Sequence, residues 1–478
     1  MTSLSKKRLI EFSGVAIIAL LSLFSFIFIS LHDREPGYEL LPLLPLLYLF
    51  AASFVYVRSL VYDFKMFNLV FIALSFMRYV VLPFFIVYAG YYGGRSPIPP
   101  TAHSYNLALQ LMLYELVIVT IAIAIFDAIR KKRKKQHPLS EKSLTRSPST
   151  FFYVLFAIVA ILGVVIMPGA LNSISFLVPS DRVVGVLQTL SLPSYFALYM
   201  FMIAKQLVAL LLIWLCFEKY KSQGQVYYVY VAIAVMVLNI SIFAGTNRTD
   251  IILCTITSLF VFKKLFPDHF KKAAILIVSI VTFVVVLIAS VRQIVSVSGD
   301  LSQLIDFTDT MQVYLGGPYN VAMAIEMKNM FPEAGHLSVL FYDIFRPMIG
   351  VNIFIKDLPI DFSVLYFNER YFFKDNVSQI LPMIGQGNLY FGYLFAPLLS
   401  VSFVALAYFF QAQMERVGNI ELVYFLTIST ARIGFLMGQN TMNLVNDISY
   451  NLVLFLIIYF LNQKIIYKRR QRSTIYYE

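Results

Sequence analysis

Four arginines of this sequence are well suited to binding an anionic substrate: Arg248, Arg292, Arg346 and Arg432. A guanidinium group binds phosphate oxygens through two parallel hydrogen bonds and stays charged at any working pH. Arg248 lies in GTNRTD, where a turn that begins with glycine leads into an apolar helix, and helix N-termini favour anions. We therefore predict that the four arginines bind one polyanion.

Three of these arginines also have ordinary interpretations. Arg248 could pair with Asp250, and Arg346 could pair with Asp343. Arg292 could instead contact the phosphate of a membrane lipid. The polyanion site is favoured because all four arginines fall at a similar depth on one side of the membrane in the topology below, while most other basic residues fall on the opposite side. The neighbouring residues predicted to support the site are Asp250, Gln439 and Asn440.

His336 is the candidate general base. It lies in PEAGHLSVL, and an imidazole titrates close to neutral pH, where it can accept a proton from a hydroxyl group. The ordinary interpretation is a histidine on the protein surface, and the sequence leaves both open.

Several kinds of catalytic site have no counterpart in the sequence. It contains no GxxxxGK[ST] phosphate loop, no HExxH, no GxSxG and no DxD pair of carboxylates. Cys216 and Cys254 are far apart in apolar runs, so they indicate neither a disulfide framework nor a metal cluster. We therefore predict no metal, no cofactor, and no direct use of ATP or of a nucleotide sugar held by a metal.

The composition is that of a membrane protein. Of 478 residues, 59% are hydrophobic and 13% are charged, and the mean hydropathy is +0.76, which excludes a soluble globular chain. The net charge of +12 does not indicate nucleic-acid binding, because the basic residues concentrate in 130–135 and 464–472, as expected for loops and tails on the cytoplasmic side.

Twelve apolar runs are candidates for membrane-spanning helices, since a bilayer needs about 20 mainly apolar residues. With most Lys and Arg residues inside, both termini are predicted to be cytoplasmic. The expected fold is an all-α polytopic membrane protein. The runs are 11–30, 40–57, 66–89, 105–126, 151–167, 193–217, 226–244, 251–262, 273–291, 388–410, 422–435 and 448–461.

This topology divides the chain into three parts. Residues 1–291 hold spans one to nine, and 388–478 hold spans ten to twelve with a basic cytoplasmic tail. Between them, residues 292–387 form one large extracytoplasmic loop, in which amphipathic stretches and turn residues predict short helices. The expected location is the cytoplasmic membrane, with the active site facing outside.

Three ionisable residues fall near the middle of the membrane when counted from the ends of their predicted spans: Arg78, Glu115 and Lys205. Ionisable groups at this depth cost several kcal/mol unless they are paired or hydrated. They could form the coupling cluster of a transporter. Alternatively, Arg78 or Lys205 could pair with Glu115 and hold helices together.

The order of several short motifs resembles the Wzy type of oligosaccharide repeat-unit polymerases, which build O-antigen and capsular polysaccharides. The motifs are GTNRTDIIL before an Ile-rich helix, VRQIVSVSGD after the ninth span, the large loop, and LPMIGQGNLYFGYLFAPL at the tenth span. The resemblance covers nearly the whole chain, because it depends on these motifs occurring in this order on twelve spans.

The resemblance implies a metal-independent glycosyltransferase. Such a protein moves a growing glycan from its polyprenyl diphosphate carrier onto a lipid-linked repeat unit. Arg248 and Arg292 match the positions that bind the diphosphate, and Arg346 and Arg432 would support the same pocket. His336 would be the base, with Asp343 as the alternative.

Other functions remain open at this stage. A ligase that passes the finished chain to another acceptor would use the same donor. A flippase for lipid-linked oligosaccharides would instead work through the three ionisable residues in the spans, although transporters usually show two related halves. The expected partners are lipid-linked oligosaccharides and membrane lipid, without nucleic acid, and a chain-length regulator is a further possibility.

Overall fold

The computed structural model describes residues 3–136, 144–176, 190–245, 248–291, 303–371 and 379–475. The protein is mostly helical, with 81% of its residues in helices. The helical content confirms the predicted helical fold class, and the long apolar helices described below are consistent with a membrane protein.

The helices follow the apolar runs of the sequence, and short connections separate most of them. The first half contains α1 Ser3–Leu31, α2 Leu43–Ala51, α3 Val57–Tyr62, α4 Met66–Phe76, α5 Leu82–Ala89, α6 Ala102–Gln136, α7 Phe151–Ile166, α8 Pro168–Asn172, α9 Leu192–Gln223 and α10 Tyr227–Ser241. The second half contains α11 Arg248–Leu265, α12 Phe270–Val291, α13 Gln303–Leu315, α14 Pro318–Met330, α15 Leu337–Phe345, α16 Asn352–Ile355, α17 Ser363–Arg370, α18 Met383–Phe395, α19 Leu398–Arg416, α20 Ile420–Ile433, α21 Thr441–Ile448 and α22 Leu454–Ile475.

Seven helical segments in the described residues are long and apolar enough to cross a membrane. Three of them are continuous only because a single π-helical turn joins two α-helices, namely Ala52–Tyr56, Met77–Val81 and Ser449–Val453. The number of twelve spans, the topology and the cytoplasmic termini stay predictions. The seven segments are Ser5–Leu31, Leu43–Tyr62, Met66–Ala89, Ala102–Gln136, Pro193–Gln223, Leu398–Arg416 and Thr441–Lys464.

The apolar run 388–410, expected to be one span, is divided between two helices. Gly392 has φ of 71° and ψ of −179° inside α18, a conformation that glycine adopts readily and other residues rarely adopt. The chain then turns back on itself, and a Cβ atom on Gly387 would lie 1.9 Å from the Ala396 carbonyl oxygen. Pro397 follows before α19 begins.

One pair of strands departs from the all-helical expectation. The strands β1 Ile174–Phe176 and β2 Ile242–Ala244 pair antiparallel, with Ser175 opposite Phe243. The run 226–244, predicted as one helix, therefore ends as a strand. The pairing satisfies backbone groups at the end of α10, because the Gly245 N–H also donates to the Ser173 carbonyl at 2.8 Å.

The chain forms two compact units, each assembled from separate stretches of sequence. The first unit takes its described residues from Met1–Leu139, Ile294–Ala412 and Thr430–Asp447. The second takes them from Ser140–Gln293, Gln413–Ser429 and Ile448–Glu478.

In the first unit, the segment 303–371 packs on the loop between α5 and α6. Arg95 in this loop forms a 2.6 Å ion pair with Asp309 of α13. The Ser96 N–H donates to the Tyr319 hydroxyl at 2.9 Å, and Arg370 forms an ion pair with Glu326. The Glu326 carboxylate also accepts the Thr101 N–H at 2.7 Å. These contacts hold the helices of the predicted loop against the ends of the N-terminal spans.

In the second unit, Lys205 of α9 donates to main-chain carbonyl groups. Its Nζ atom lies 2.6 Å from the Asn239 oxygen and also donates to the Ile242 oxygen. These carbonyls lie where α10 gives way to β2 and so lack partners within a helix. Lys205 therefore has a structural role here, as a cation that satisfies the end of a helix.

Candidate functional site

The candidate site lies in the first unit and is centred on Asp343, in the last turns of α15. Its Oδ1 atom accepts the Ser363 N–H at 3.1 Å. Its Oδ2 atom accepts the Ser363 hydroxyl at 2.5 Å, the Gln386 side-chain amide at 2.7 Å and the Tyr390 hydroxyl at 2.8 Å. The carboxylate thus joins α15 to the start of α17 and to α18.

Gln386 extends this network to α21. Its Oε1 atom accepts both the N–H and the hydroxyl of Thr441, each at 2.8 Å. Because the amide group of Gln386 donates to Asp343 and its oxygen accepts from Thr441, the orientation of the amide is fixed. Thr441 is the first residue of the segment Thr441–Lys464, so the network connects α15 to a helical segment that is long and apolar enough to cross a membrane.

Burial raises the pKa of Asp343 above the ordinary value of an aspartate, while the hydrogen bonds from Ser363, Tyr390 and Gln386 act in the opposite direction. The side chain has no exposed surface, and no cation of the described residues forms an ion pair with it. Its oxygen atoms already accept four hydrogen bonds, so in this arrangement Asp343 organises three helices. To act as a base it would first have to be released from these donors.

Arg346 lies one residue beyond α15. Its guanidinium carbon lies 4.3 Å from the centre of the Phe362 ring and 5.7 Å from that of Tyr342, and its NH1 atom lies 3.9 Å from the Met442 sulfur. Its Nε atom is buried without a hydrogen-bond partner in the described part of the chain.

The ordinary pairing of Arg346 with Asp343 does not form, because the partners of Asp343 are Ser363, Gln386 and Tyr390. Among the described residues, the Arg346 guanidinium forms no ion pair. It rests on an aromatic face, which leaves its charge available to an anion.

Arg432 has an acidic partner. It forms an ion pair with Asp447 across α20 and α21, and its guanidinium carbon lies 5.6 Å from the centre of the Phe435 ring. An anion that bound Arg432 would have to compete with Asp447. In this arrangement Arg432 is a weaker candidate for an anion site than Arg346.

Gln439 and Asn440 are buried and organise the start of α21. The Asn440 side-chain oxygen accepts the Asn443 N–H at 2.8 Å, which is the contact of a helix N-cap. The Asn443 side chain in turn donates to the Gln439 side-chain oxygen at 3.1 Å. Both residues therefore support the helix to which Gln386 binds.

His336 is exposed and precedes the first residue of α15. Arg346 follows the last residue of the same helix, ten positions away, which corresponds to about 15 Å of helical rise. The two side chains therefore begin at opposite ends of α15.

The remaining predicted site residues belong to the second unit. Arg248 is the first residue of α11, and Asp250 is half-buried in its first turn. The Arg248 side chain and the whole of Arg292 lie outside the described residues. Their convergence with Arg346 and Arg432 on one polyanion stays a prediction.

Two buried polar networks of the first unit support the spans. The Arg78 and Glu115 side chains form an ion pair of 2.8 Å, and the second Glu115 oxygen accepts the Ser400 hydroxyl at 2.6 Å. Nearer the basic end of α6, Lys65 forms ion pairs of 2.7 Å with Asp127 and 3.0 Å with Asp63.

The residues that bind Asp343 were not predicted from the sequence, and neither was the buried Lys65 with its acidic partners. Gln386 could have been noticed, because it is an uncharged polar side chain between two glycines in an apolar stretch. Nothing in the sequence indicates that Tyr390 reaches a carboxylate 47 residues earlier.

Groups of three or more His, Cys, Asp or Glu side chains that could bind a metal are absent from the described ranges. No known family matches the sequence, and no curated protein or solved structure matches it.

Proposed function

We propose that this protein is a polysaccharide polymerase of the cytoplasmic membrane. It would transfer a growing glycan from a polyprenyl diphosphate carrier onto a lipid-linked repeat unit at the outer membrane face. The proposal includes twelve spans, cytoplasmic termini and an extracytoplasmic segment 292–387. The observation that carries it is Arg346, a guanidinium without an ion pair in the described chain, held on Phe362 beside a membrane-spanning helix.

The chemistry requires that negative charge be stabilised on the leaving diphosphate. The acceptor hydroxyl forms a bond to the anomeric carbon, the bond from that carbon to the diphosphate oxygen breaks, and the hydroxyl proton passes to a base. A fixed guanidinium binds the diphosphate more strongly as charge develops and so lowers the barrier. Arg346 supplies such a group, with Arg248 and Arg292 as its proposed companions.

His336 is the proposed base, because it is exposed while Asp343 is enclosed by hydrogen-bond donors. A diphosphate bound at Arg346 would let the donor sugar extend along α15 toward His336. Asp343 then acts as a positioning residue, which holds α15 against α18 and α21 so that both ends of α15 keep their places.

A flippase is less well supported. Its working residues would be the ionisable groups in the spans, yet Glu115 is occupied by Arg78 and Ser400, and Lys205 by two main-chain carbonyls. A ligase shares the donor and differs in its acceptor, so only the product separates it from a polymerase.

The test uses cells whose surface polysaccharide depends on this protein, and it compares glycan ladders at equal membrane abundance. Arg346→Ala should reduce the ladder to a single repeat unit on its final acceptor, with a loss of about 10²–10³ in rate, as when one donor to a developing anion is removed. Lys356→Ala is the matched control, because Lys356 is an exposed cation of the same segment. Arg248→Ala tests the companion arginine.

The other outcomes distinguish the alternatives. Full-length glycan that stays on its lipid carrier would indicate a ligase. Lipid-linked units trapped inside the cell would indicate a flippase. An unchanged ladder would remove Arg346 from the site.

A further inference from the structure

The helices α15 and α16 present a row of exposed apolar side chains on the segment predicted to form the large loop. Leu337, Phe341 and Phe345 follow one another at intervals of four residues along one face of α15, and Ile353 and Phe354 continue the surface on α16. The exposed fraction is 57% for Phe341 and 83% for Phe354. We call this row the apolar stripe of α15 and α16.

The stripe cannot simply turn inward, because the opposite face of α15 is already fixed. Val339, Leu340, Tyr342 and Asp343 are buried on that face, and Asp343 binds α17 and α18 through its carboxylate. Phe354 is also as exposed as residues on the membrane-spanning helices themselves, such as Phe12 at 74% and Phe54 at 73%. The stripe therefore has the exposure that is typical of side chains facing lipid.

The position of α18 indicates how deep the stripe lies. A Cβ atom on Gly335, just before α15, would lie 3.1 Å from the Leu389 carbonyl oxygen of α18. Further along α18, the Tyr393 ring stacks on Tyr114 with centres 5.8 Å apart, and the Tyr114 hydroxyl donates to the Leu394 oxygen at 2.9 Å. Tyr114 is twelve residues from the start of Ala102–Gln136, or about 18 Å of helical rise.

The helix α18 thus reaches well along a membrane-spanning helix, and α15 packs against α18. At the other end of α15, Arg346 contacts Met442, which lies in the first turn of the segment Thr441–Lys464. One end of α15 is therefore beside the start of the segment Thr441–Lys464, and the other end packs on α18, whose last residues contact α6.

We propose that the apolar stripe of α15 and α16 is inserted into the membrane leaflet that contains the N-terminal end of α6. The side chains of the stripe would contact the upper acyl-chain region of the membrane lipid, into which amphipathic interfacial helices insert by about 5–10 Å. Arg346 lies beside the stripe, where a cationic group can reach lipid phosphate while its stem stays in apolar surroundings. The inference does not depend on the proposed enzymatic function.

Insertion also has a consequence for the candidate site. It would hold Arg346 at the level of the phosphate groups, so that a lipid-linked anion could reach the guanidinium without leaving the bilayer.

The experiment uses tryptophan fluorescence, because the sequence contains a single tryptophan, Trp214. Phe354→Trp is introduced into full-length Trp214→Phe protein, which is reconstituted in phosphatidylcholine vesicles with bromine near the top of the acyl chains. Glu369→Trp in the same background is the control, since Glu369 is an exposed acidic position on α17. Iodide serves as the quencher from water.

Strong quenching of the tryptophan at position 354 by brominated lipid is expected, with quenching by iodide severalfold weaker than at position 369. Iodide quenching equal to that at position 369, without quenching by lipid, would overturn the proposal. Protection from both quenchers would also overturn it, because another protein surface, such as a second copy of this chain, would then cover the stripe. Phe341→Trp provides a second reporter on the same stripe, with the same expectations.

Discussion

The guanidinium of Arg78 and the carboxylate of Glu115 form an ion pair of 2.8 Å in which both side chains are fully buried. Arg78 also donates through Nε to the Gly316 carbonyl at 3.1 Å. Gly316 adopts φ of 63°, a left-handed conformation that suits glycine, in the turn between α13 and α14. The pair therefore joins two spans and also fixes a turn of the segment that packs on their ends.

Replacing Glu115 should destabilise the fold strongly. Glu115→Gln removes the negative charge and leaves Arg78 buried without a counter-charge, and breaking a buried pair in this way costs about 3–5 kcal/mol. The measurement is thermal unfolding of the purified protein in detergent, with Asp357→Asn as a control at an exposed carboxylate. Normal stability of Glu115→Gln combined with lost function would contradict the structural role and favour the coupling role of a transporter.

The sequence predicts the limits of an apolar helical segment well where polar or turn residues flank an uninterrupted apolar run. The span 66–89 agrees with the structure to the residue, because Lys65 precedes it and Gly90 ends it with a left-handed conformation. The prediction of one span over 388–410 was wrong, because Gly392 and Pro397 are compatible with a kinked helix as well as with the chain reversal that the structure contains. Hydropathy alone does not separate these two outcomes.

The candidate site was predictable only in part. Asp343 and Arg346 were identified from their residue types, but their partners come from α17, α18 and α21, which are distant in sequence. The spacing of three residues made an ion pair between them plausible. The structure lacks that pair because α15 ends between them, so that Asp343 points toward α18 while Arg346 turns toward Phe362.

Acidification should stabilise the wild-type protein relative to Asp343→Asn. Burial raises the pKa of Asp343 in the folded state above its value in the unfolded chain. The folded state therefore binds the proton more tightly, and this contribution is complete below the ordinary pKa of 3.8 and is lost as pH rises through the raised value. The unfolding temperatures of both proteins are measured from pH 7 downward. The unfolding temperature of the wild type should rise relative to that of Asp343→Asn as the pH falls. A difference independent of pH would contradict this assignment.

Removing the N-cap of α21 should cost about 1 kcal/mol, because Asn440→Ala leaves the Asn443 N–H without its side-chain acceptor. Asn440→Asp keeps an acceptor at the same position and should retain most of the stability. Thermal unfolding in detergent compares the two variants. Equal losses in both would show that burial of the amide matters and that the cap does not.

Phe362 should act as a positioning residue for Arg346. Phe362→Leu keeps an apolar side chain but removes the aromatic face that lies 4.3 Å from the guanidinium, and a cation–π contact of this kind contributes about 1 kcal/mol. If the guanidinium binds the diphosphate donor, its looser placement should raise KM for the lipid-linked donor roughly fivefold, with a smaller effect on kcat. The measurement is transfer by purified, reconstituted protein, with Phe341→Leu as the matched control on the exposed stripe. An unchanged KM in Phe362→Leu, together with normal transfer by Arg346→Ala, would contradict this prediction. The contact between Phe362 and Arg346 would then have no role in donor binding and would serve only the packing of α15.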